Sequence, residues 1–468
     1  MTCRDIEYSR SVNIASAPRI IPPLDSQFHP PILEKNCCFD AVGKPTAIVI
    51  GLERENGLIS RHETVVDGDR QPDASRELER IVKFLLWARG GWKLYLGGPD
   101  SLVEPIQVPH FDADLMERVY EHPFEVVLMD APDVPSTNEK GAVFGGHLDG
   151  CRIGFDLGAS DYKVAAVEDG TVVYSQEFPW NPRDQSDPRY HYEHLHSGLK
   201  KAAQHLARVD AIGGSTAGIV VNNRIMASSL FRGVPADELQ RTKDIFLNLR
   251  REWGVPLEVV NDGDVTALAG AMSLGESGIL GIAMGSSEAA GFCDRQGRLL
   301  GWLNELAFAP VDRSREAPLD EWSGGRGVGA QYFSQQAVNR LLVPAGIDLP
   351  RQMEAPERLQ YVQKLMVQED PRAAKIYETI GVYLGYTIPH YARFYDFGHV
   401  LVLGRVTTGT GGNIILAKAR EVLQTEFQEL AEGIVLHLPD EKSRRVGQAV
   451  AAASLPMRTQ PKASHEAA

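Results

Sequence analysis

Val259-Val260-Asn261-Asp262-Gly263-Asp264-Val265-Thr266-Ala267-Leu268-Ala269-Gly270 is the stretch on which the fold turns. Two apolar residues deliver Asn-Asp to the end of a strand, and a helix of small residues begins at once. That order places Asp262 at a strand C-terminus beside a helix N-terminus, where sites in α/β sheets usually assemble. A carboxylate there can take a proton from a substrate hydroxyl, with Asn261 as a neutral donor and acceptor beside it. The same two residues also suit a plain N-cap pair for the helix, and both readings stand at this level.

Working outward, Asp156-Leu157-Gly158-Ala159-Ser160-Asp161-Tyr162-Lys163 follows the apolar strand Arg152 to Leu157. A strand that ends in Asp and turns through small residues can set backbone N–H groups beside a phosphate, with the Asp facing the accompanying metal. An ordinary glycine β-turn has the same pattern. Strands are predicted at Lys163–Val167 and Gly170–Phe178, and a helix at His194–Arg208. Ala211-Ile212-Gly213-Gly214-Ser215-Thr216-Ala217-Gly218 is then a strand entering a turn, and Asn222-Asn223-Arg224 starts a second turn. Downstream, Leu280 to Phe292 reads as strand, turn and returning strand. Gly285, Ser286 and Ser287 there form a natural second phosphate loop, with Glu288 near where the phosphates would lie. Val400 to Leu403 enters Gly404-Arg405-Val406-Thr407-Thr408-Gly409-Thr410-Gly411-Gly412, a turn able to lie flat against a nucleoside ring, before a helix predicted over Ile414–Leu430.

The 468 residues suffice for two or three lobes. A net charge of −14 argues against general nucleic-acid or anionic-membrane binding. The five cysteines are odd in number and irregularly spaced, which suits neither a disulfide framework nor a tetrahedral metal site. No long apolar run and no secretory signal is evident, so a cytoplasmic protein is expected. Residues 1–45 read as an irregular arm draped over the body, and 456–468 as a disordered tail. Residues 46–150 read as an α/β unit of their own: strand Thr46–Gly51, hairpin partner Leu58–Val66, a helix Asp73–Arg89 capped by Asp73, and strand Lys93–Leu96. This order is either a degenerate copy of the half-lobe after residue 151 or an unrelated appendage, and superposition separates the two. With roughly 24 acidic against 15 basic residues, 1–150 does not suit a DNA-binding domain.

The order and spacing of these turns resemble the ROK family, the bacterial branch of the hexokinase-like sugar kinases, over about residues 151–455. The resemblance implies a two-lobed, actin-like ATPase (ribonuclease H-like) α/β fold with the N-terminal α/β segment added. Residues 151–270 would form the small lobe with a closing helix at 443–454, and 271–440 the large lobe. It implies ATP and Mg²⁺, a hexose as phosphoryl acceptor and, since relatives are often dimers, a homodimer. By position, Asp156 would hold Mg²⁺ through water, with Gly158, Ala159 and Ser160 around the phosphates. Gly285, Ser286 and Ser287 would meet the γ-phosphate, and Gly404, Gly409, Gly411 and Gly412 the adenosine. Asp262 would be the base, with Asn261, Ser215, Thr216, Glu305 and Asp320 on the sugar. The family's zinc-site His falls on Phe308, and its clustered cysteines are absent between Pro310 and Leu319, so no zinc is expected.

Two functions from different classes follow: an ATP-dependent hexose kinase, or a catalytically weak sugar-binding sensor or scaffold. His191 and His194 share a helix face only if their helix begins early, and surface histidines are the favoured reading over a metal site. Trp302 and Trp180 are candidate sugar platforms. All of this assumes that Asp262 and the 156–160 turn face each other across one cleft between lobes.

Overall fold

A computed structural model of the chain describes residues 17–33, 44–139, 145–439 and 441–457. The arm expected over 1–45 lies outside these residues except for 17–33, and of the expected tail only 456 and 457 are described. The chain divides into two compact units. One holds 1–140, 277–295 and 300–439; the other holds 141–276, 296–299 and 440–468.

The first unit opens with β1 (Pro45–Glu53), β2 (Ile59–Asp67), α1 (Gln71–Arg89), β3 (Lys93–Gly97), α2 (Asp100–Val103), α3 (His110–Tyr120) and β4 (Glu125–Met129). The sheet order is β2-β1-β3-β4. Helix α1 starts two residues earlier than the periodicity suggests, because Pro72 pre-sets the first turn. Asp73 therefore sits inside the helix as a first-turn acid and is not its cap. Leu78, Ile81, Val82, Leu85 and Leu86 are buried along it, joined by Phe84 and Trp87.

The second unit comprises β5 (Cys151–Leu157), β6 (Asp161–Glu168), β7 (Thr171–Pro179), α4 (Arg189–Ala203), β8 (Ala211–Thr216), β9 (Ile219–Val221), β10 (Arg224–Ala227), α5 (Leu239–Lys243), α6 (Ile245–Trp253), β11 (Leu257–Asn261) and α7 (Asp262–Leu274). Its main sheet runs β11-β8-β5-β6-β7, with β5, β8 and β11 mutually parallel. Alternation along β5 sends Ile153, Phe155 and Leu157 into the core that also holds Leu195 and Leu199 of α4 and Phe246 and Leu249 of α6. The opposite face carries α13 (Glu441–Ala453), which packs on β5, β8 and α7.

The N-terminal strands share the order of β6-β5-β8-β11 but not the direction. β1 pairs antiparallel with β3, whereas β5 pairs parallel with β8. Residues 46–100 are therefore not a copy of the half-lobe. Nor do residues 46–150 form a unit of their own, since 45–139 pack within the same compact unit as 277–295 and 300–439.

The chain then returns to the first unit through β12 (Ile279–Met284), β13 (Glu288–Cys293), α8 (Gln335–Leu341), α9 (Ala355–Val367), α10 (Pro371–Tyr391), β14 (His399–Leu403), α11 (Thr410–Glu426), α12 (Gln428–Gly433) and β15 (Val435–His437). The sheet is β13-β12-β14-β15, and α10 packs along α11. Residues 17–33 drape over this body. Phe28 is buried against Tyr332 and Tyr383, and Asp25 pairs with Arg340 at 2.9 Å. Among the described residues no helix is long and apolar enough to cross a membrane.

Two glycines let α13 lie against the sheet. A Cβ on Gly154 would fall 1.7 Å from the Ala449 carbonyl oxygen, and one on Gly213 would fall 1.7 Å from that of Ala452. Backbone cannot give by that much locally, so the helix must move. Gly213→Ala should lower unfolding stability by roughly 1–3 kcal/mol in urea denaturation, and an unchanged midpoint would show that α13 is not docked there.

Candidate functional site

Three parallel strands end together in the second unit. Asp156 lies opposite Ser215, which lies opposite Val260, and the next row is Leu157, Thr216 and Asn261. Helix α7 begins at the following residue, Asp262. The chain therefore gathers Asp156, Ser215, Thr216, Asn261 and Asp262 at the C-terminal edge of one sheet. Asp262 and the 156–160 turn belong to the same unit, as the small lobe expected over 151–270 requires, but they stand at neighbouring strand ends of one sheet and do not face each other across a cleft between lobes.

Asp262 is half-buried at the first position of α7. Burial, and then the Asp156 carboxylate, push it up to about 7. Hydrogen bonds from the helix N-terminus and Asn261 oppose the shift without cancelling it. Asp156 is itself raised, mainly by burial and also by Asp161, while Lys163 pulls the other way. The Lys163 ammonium lies 4.0 Å from Asp156 and 3.6 Å from Asp161. Asp156, Asp161 and Asp262 thus share this edge with one ammonium, and carboxylate oxygens are the donors that a hard cation takes.

The turn after β5 is a hairpin closed by Gly158 N–H to the Asp161 carbonyl at 3.0 Å. The N–H groups of Ala159 and Ser160 have no acceptor among the described residues. Trp180, offered above as a sugar platform, is buried instead, and its indole N–H bonds the Gly158 carbonyl at 2.9 Å. It braces the turn. A lone tryptophan 22 residues downstream carries no signal for that role in the sequence.

Other predicted residues are used by the fold. Asn261 accepts from Gly263 N–H at 2.7 Å as the N-cap of α7, and its amide donates to the Gly218 carbonyl at 2.9 Å. Ser215 and Thr216 are buried in β8, at 0% and 1% exposure, so neither reaches a sugar as the chain stands. Helix α4 begins at Arg189, five residues before the predicted start. His191 is therefore no surface residue: it is buried, with Nε2 3.1 Å from the Pro182 and Leu230 carbonyl oxygens.

The remaining candidates lie in the first unit. Ser286 is exposed at the tip of the β12–β13 hairpin, and Gly285 N–H bonds the Ser287 carbonyl at 2.9 Å. Glu288 does not point toward that turn's open side. It is 4% exposed, and a Cβ on Gly329 would fall 2.0 Å from its Oε2. Neither carboxyl oxygen meets an acceptable hydrogen-bond geometry among the described residues. Burial pushes Glu288 up to about 8, with the nearby Tyr391 hydroxyl opposing the rise and Glu305 adding to it. Gly404 sits at φ 104°, and a Cβ there would fall 2.5 Å from the Met284 carbonyl oxygen. Helix α11 starts at Thr410 and not at Ile414, so Gly411 and Gly412 lie in its first turn. Both are buried, with Gly411 against the Tyr377 ring and Gly412 against Thr407.

In the predicted sugar stretch, Glu305 is half-buried. Asp320 is 4% exposed, and its carboxylate accepts from the Ser323 N–H and hydroxyl, both at 2.8 Å. One carboxyl oxygen thus closes its own turn. Phe308, in the place of the zinc-site His, packs on Trp87 at 4.6 Å and Trp322 at 4.9 Å. Trp302 is half-buried and donates to Glu139 at 3.1 Å.

No protein-family model matches the sequence, and no curated protein matches it. Solved structures do. A ROK hexokinase from Thermus thermophilus superposes with a TM-score of 0.51 at 18% identity, over 64% of this chain and 97% of that one. The chain has the ROK fold. A ROK family transcriptional regulator, a homolog of the E. coli MLC protein, superposes at 0.53 with 16% identity, over 66% of this chain and 79% of that one. The two-lobed α/β architecture of the ROK proteins is thus shared, and it occurs in a kinase and in a regulator alike.

Because Glu288 is raised from 4.5 to about 8, the folded state holds its proton between those values while the unfolded state does not. Stability therefore falls as pH rises through that window, by on the order of 5 kcal/mol in all. Glu288→Gln should match the parent at pH 4 and exceed it by that order at pH 9 in urea denaturation. Equal stability at both pH values would place the side chain in water.

Proposed function

We propose that this chain belongs to the ROK family and is a sugar kinase, moving the γ-phosphoryl group of ATP to a primary hydroxyl of a hexose. The observation that carries the proposal is Asp262: a half-buried carboxylate at a strand end, raised to about 7 beside Asp156. A base with that pKa is matched to neutral pH, where it is both ionised and basic enough to take a proton. Asp156 would hold Mg²⁺ through water, and the open N–H groups of Ala159 and Ser160 would face the phosphates. The metal, when bound, would neutralise phosphate charge. Lys163 adds a second positive charge on the same edge.

Asp262 takes the hydroxyl proton as the oxygen attacks phosphorus. Its helix-terminal hydrogen bonds hold the carboxylate in place while that happens. Phosphoryl transfer asks little more of a protein than position and charge, which suits a site built from backbone turns.

A sugar-binding sensor or scaffold is the second reading, and specific observations favour it. Asp320 is folded back on its own loop, Asn261 caps α7, and Phe308 lies in an aromatic cluster. The N-terminal segment folds as a four-stranded sheet with helices. Calorimetric sugar binding without ADP release would establish this alternative.

The kinase reading is tested by ADP release from ATP and Mg²⁺ across a panel of hexoses and N-acetylhexosamines. Asp262→Asn should lower kcat by roughly two to four decades with ATP binding nearly unchanged. Full turnover in that variant would remove Asp262 as the base. In the parent, kcat/KM should be half-maximal near pH 7 and fall about tenfold per unit below it, since the base must be ionised. A profile flat down to pH 5 contradicts the assignment.

A further inference from the structure

The loop that carries Glu305 is held from outside, by the N-terminal segment. A helix ends with four backbone carbonyls that have no partner within it. In α1 these belong to Leu86, Trp87, Ala88 and Arg89. Gly90 N–H takes the first at 2.9 Å, and the N–H groups of Glu305, Asn304 and Leu303 take the others at 3.0, 2.9 and 3.4 Å. The end of α1 is thus completed by the Glu305 loop, residue for residue. Asn304 adopts φ 51° to run along it, a conformation that asparagine tolerates.

A second set of contacts fixes the start of the same loop. Arg54, at the end of β1, is fully buried. It donates to the carbonyls of Leu300 at 3.1 Å and Gly301 at 2.6 Å, and pairs with Glu139 at 2.5 Å. Glu139 also accepts from the Trp302 indole at 3.1 Å and from the Ser60 hydroxyl. The Arg89 guanidinium lies 4.9 Å from the Trp302 ring centroid. Such a buried, multiply bonded Arg–Glu pair is weak evidence of stability but fixes geometry closely, because breaking it leaves a charge unpaired.

We propose that residues 45–139 act as a clamp that sets the conformation of the 300–305 loop, with Arg54 as the positioning residue for Glu305. The consequence for sugar affinity rests on the kinase reading, in which Glu305 contacts the sugar. The clamp itself does not. Arg54 touches no reacting atom and acts only through the loop backbone. A small displacement of a binding group is enough to cost affinity for a polar ligand.

The test uses the full chain and two readouts, amide hydrogen exchange and hexose kinetics. Arg54→Met should speed exchange at Leu303, Asn304 and Glu305 at least tenfold while the β14 amides keep their protection. It should raise hexose KM at least fivefold with kcat within twofold, and Arg54→Lys should recover part of both effects. Unchanged exchange at 303–305, or an equal rise throughout the first unit, would overturn the clamp; faster exchange there with an unmoved KM would keep the clamp and remove Glu305 as a sugar contact. Should Arg54→Met fail to fold, Trp302→Phe removes only the indole donor to Glu139 and should show the same pattern at smaller size. If the parent turns over no sugar, the kinase reading fails and the exchange pattern alone decides the clamp.

Discussion

The parallel register of β11, β8 and β5 is the constraint from which the rest of the site follows. It sets Asp156, Ser215 and Val260 in one row and Leu157, Thr216 and Asn261 in the next. One residue later the chain turns into α7, so the carboxylate of Asp262 arrives at the edge where Asp156 already stands. A register slip of one residue would send either carboxylate to the opposite face of the sheet. Glycines at 154 and 213 keep that register covered, because they admit α13 to a face on which any side chain would hold it away.

Much of this was legible in the residues. Strand ends that pass from apolar runs into Asp or Asn-Asp, and turns of small residues, have few structural alternatives. The strands over 151–179 and the start of α7 agree with the pattern to within one to three residues. Helix starts were less legible. Proline and a run of glycines mark both turns and first helical turns, so α1 and α11 begin earlier than periodicity implies, and α4 begins one residue after Pro188. Strand direction was not legible at all. The N-terminal strands repeat the order found after residue 151, but nothing in their composition distinguishes an antiparallel β1–β3 pair from a parallel one.

The site residues divide on a similar line. Asp156 and Asp262 stand at strand ends, where backbone hydrogen bonding leaves side chains available. Asn261 and Asp320 are short polar side chains that satisfy local N–H groups instead, the competing use that such residues always have. Ser215 and Thr216 are buried at the end of β8. The contacts of the N-terminal segment with the 300–305 loop depend on packing between stretches more than 160 residues apart, and no local pattern announces them.

The second unit carries the Asp156–Asp262 edge and its turn, while the first packs Phe308 among aromatic rings and buries the Glu288 carboxyl. Whether that edge performs phosphoryl transfer is decided most directly by a crystal structure with a non-hydrolysable ATP analogue and a bound hexose. The account predicts the phosphates of the analogue at the N–H groups of Ala159 and Ser160, and a primary sugar hydroxyl about 2.6–3.2 Å from the Asp262 carboxylate. A nucleotide bound elsewhere, or an Asp262 that contacts only its own helix in that complex, would contradict it.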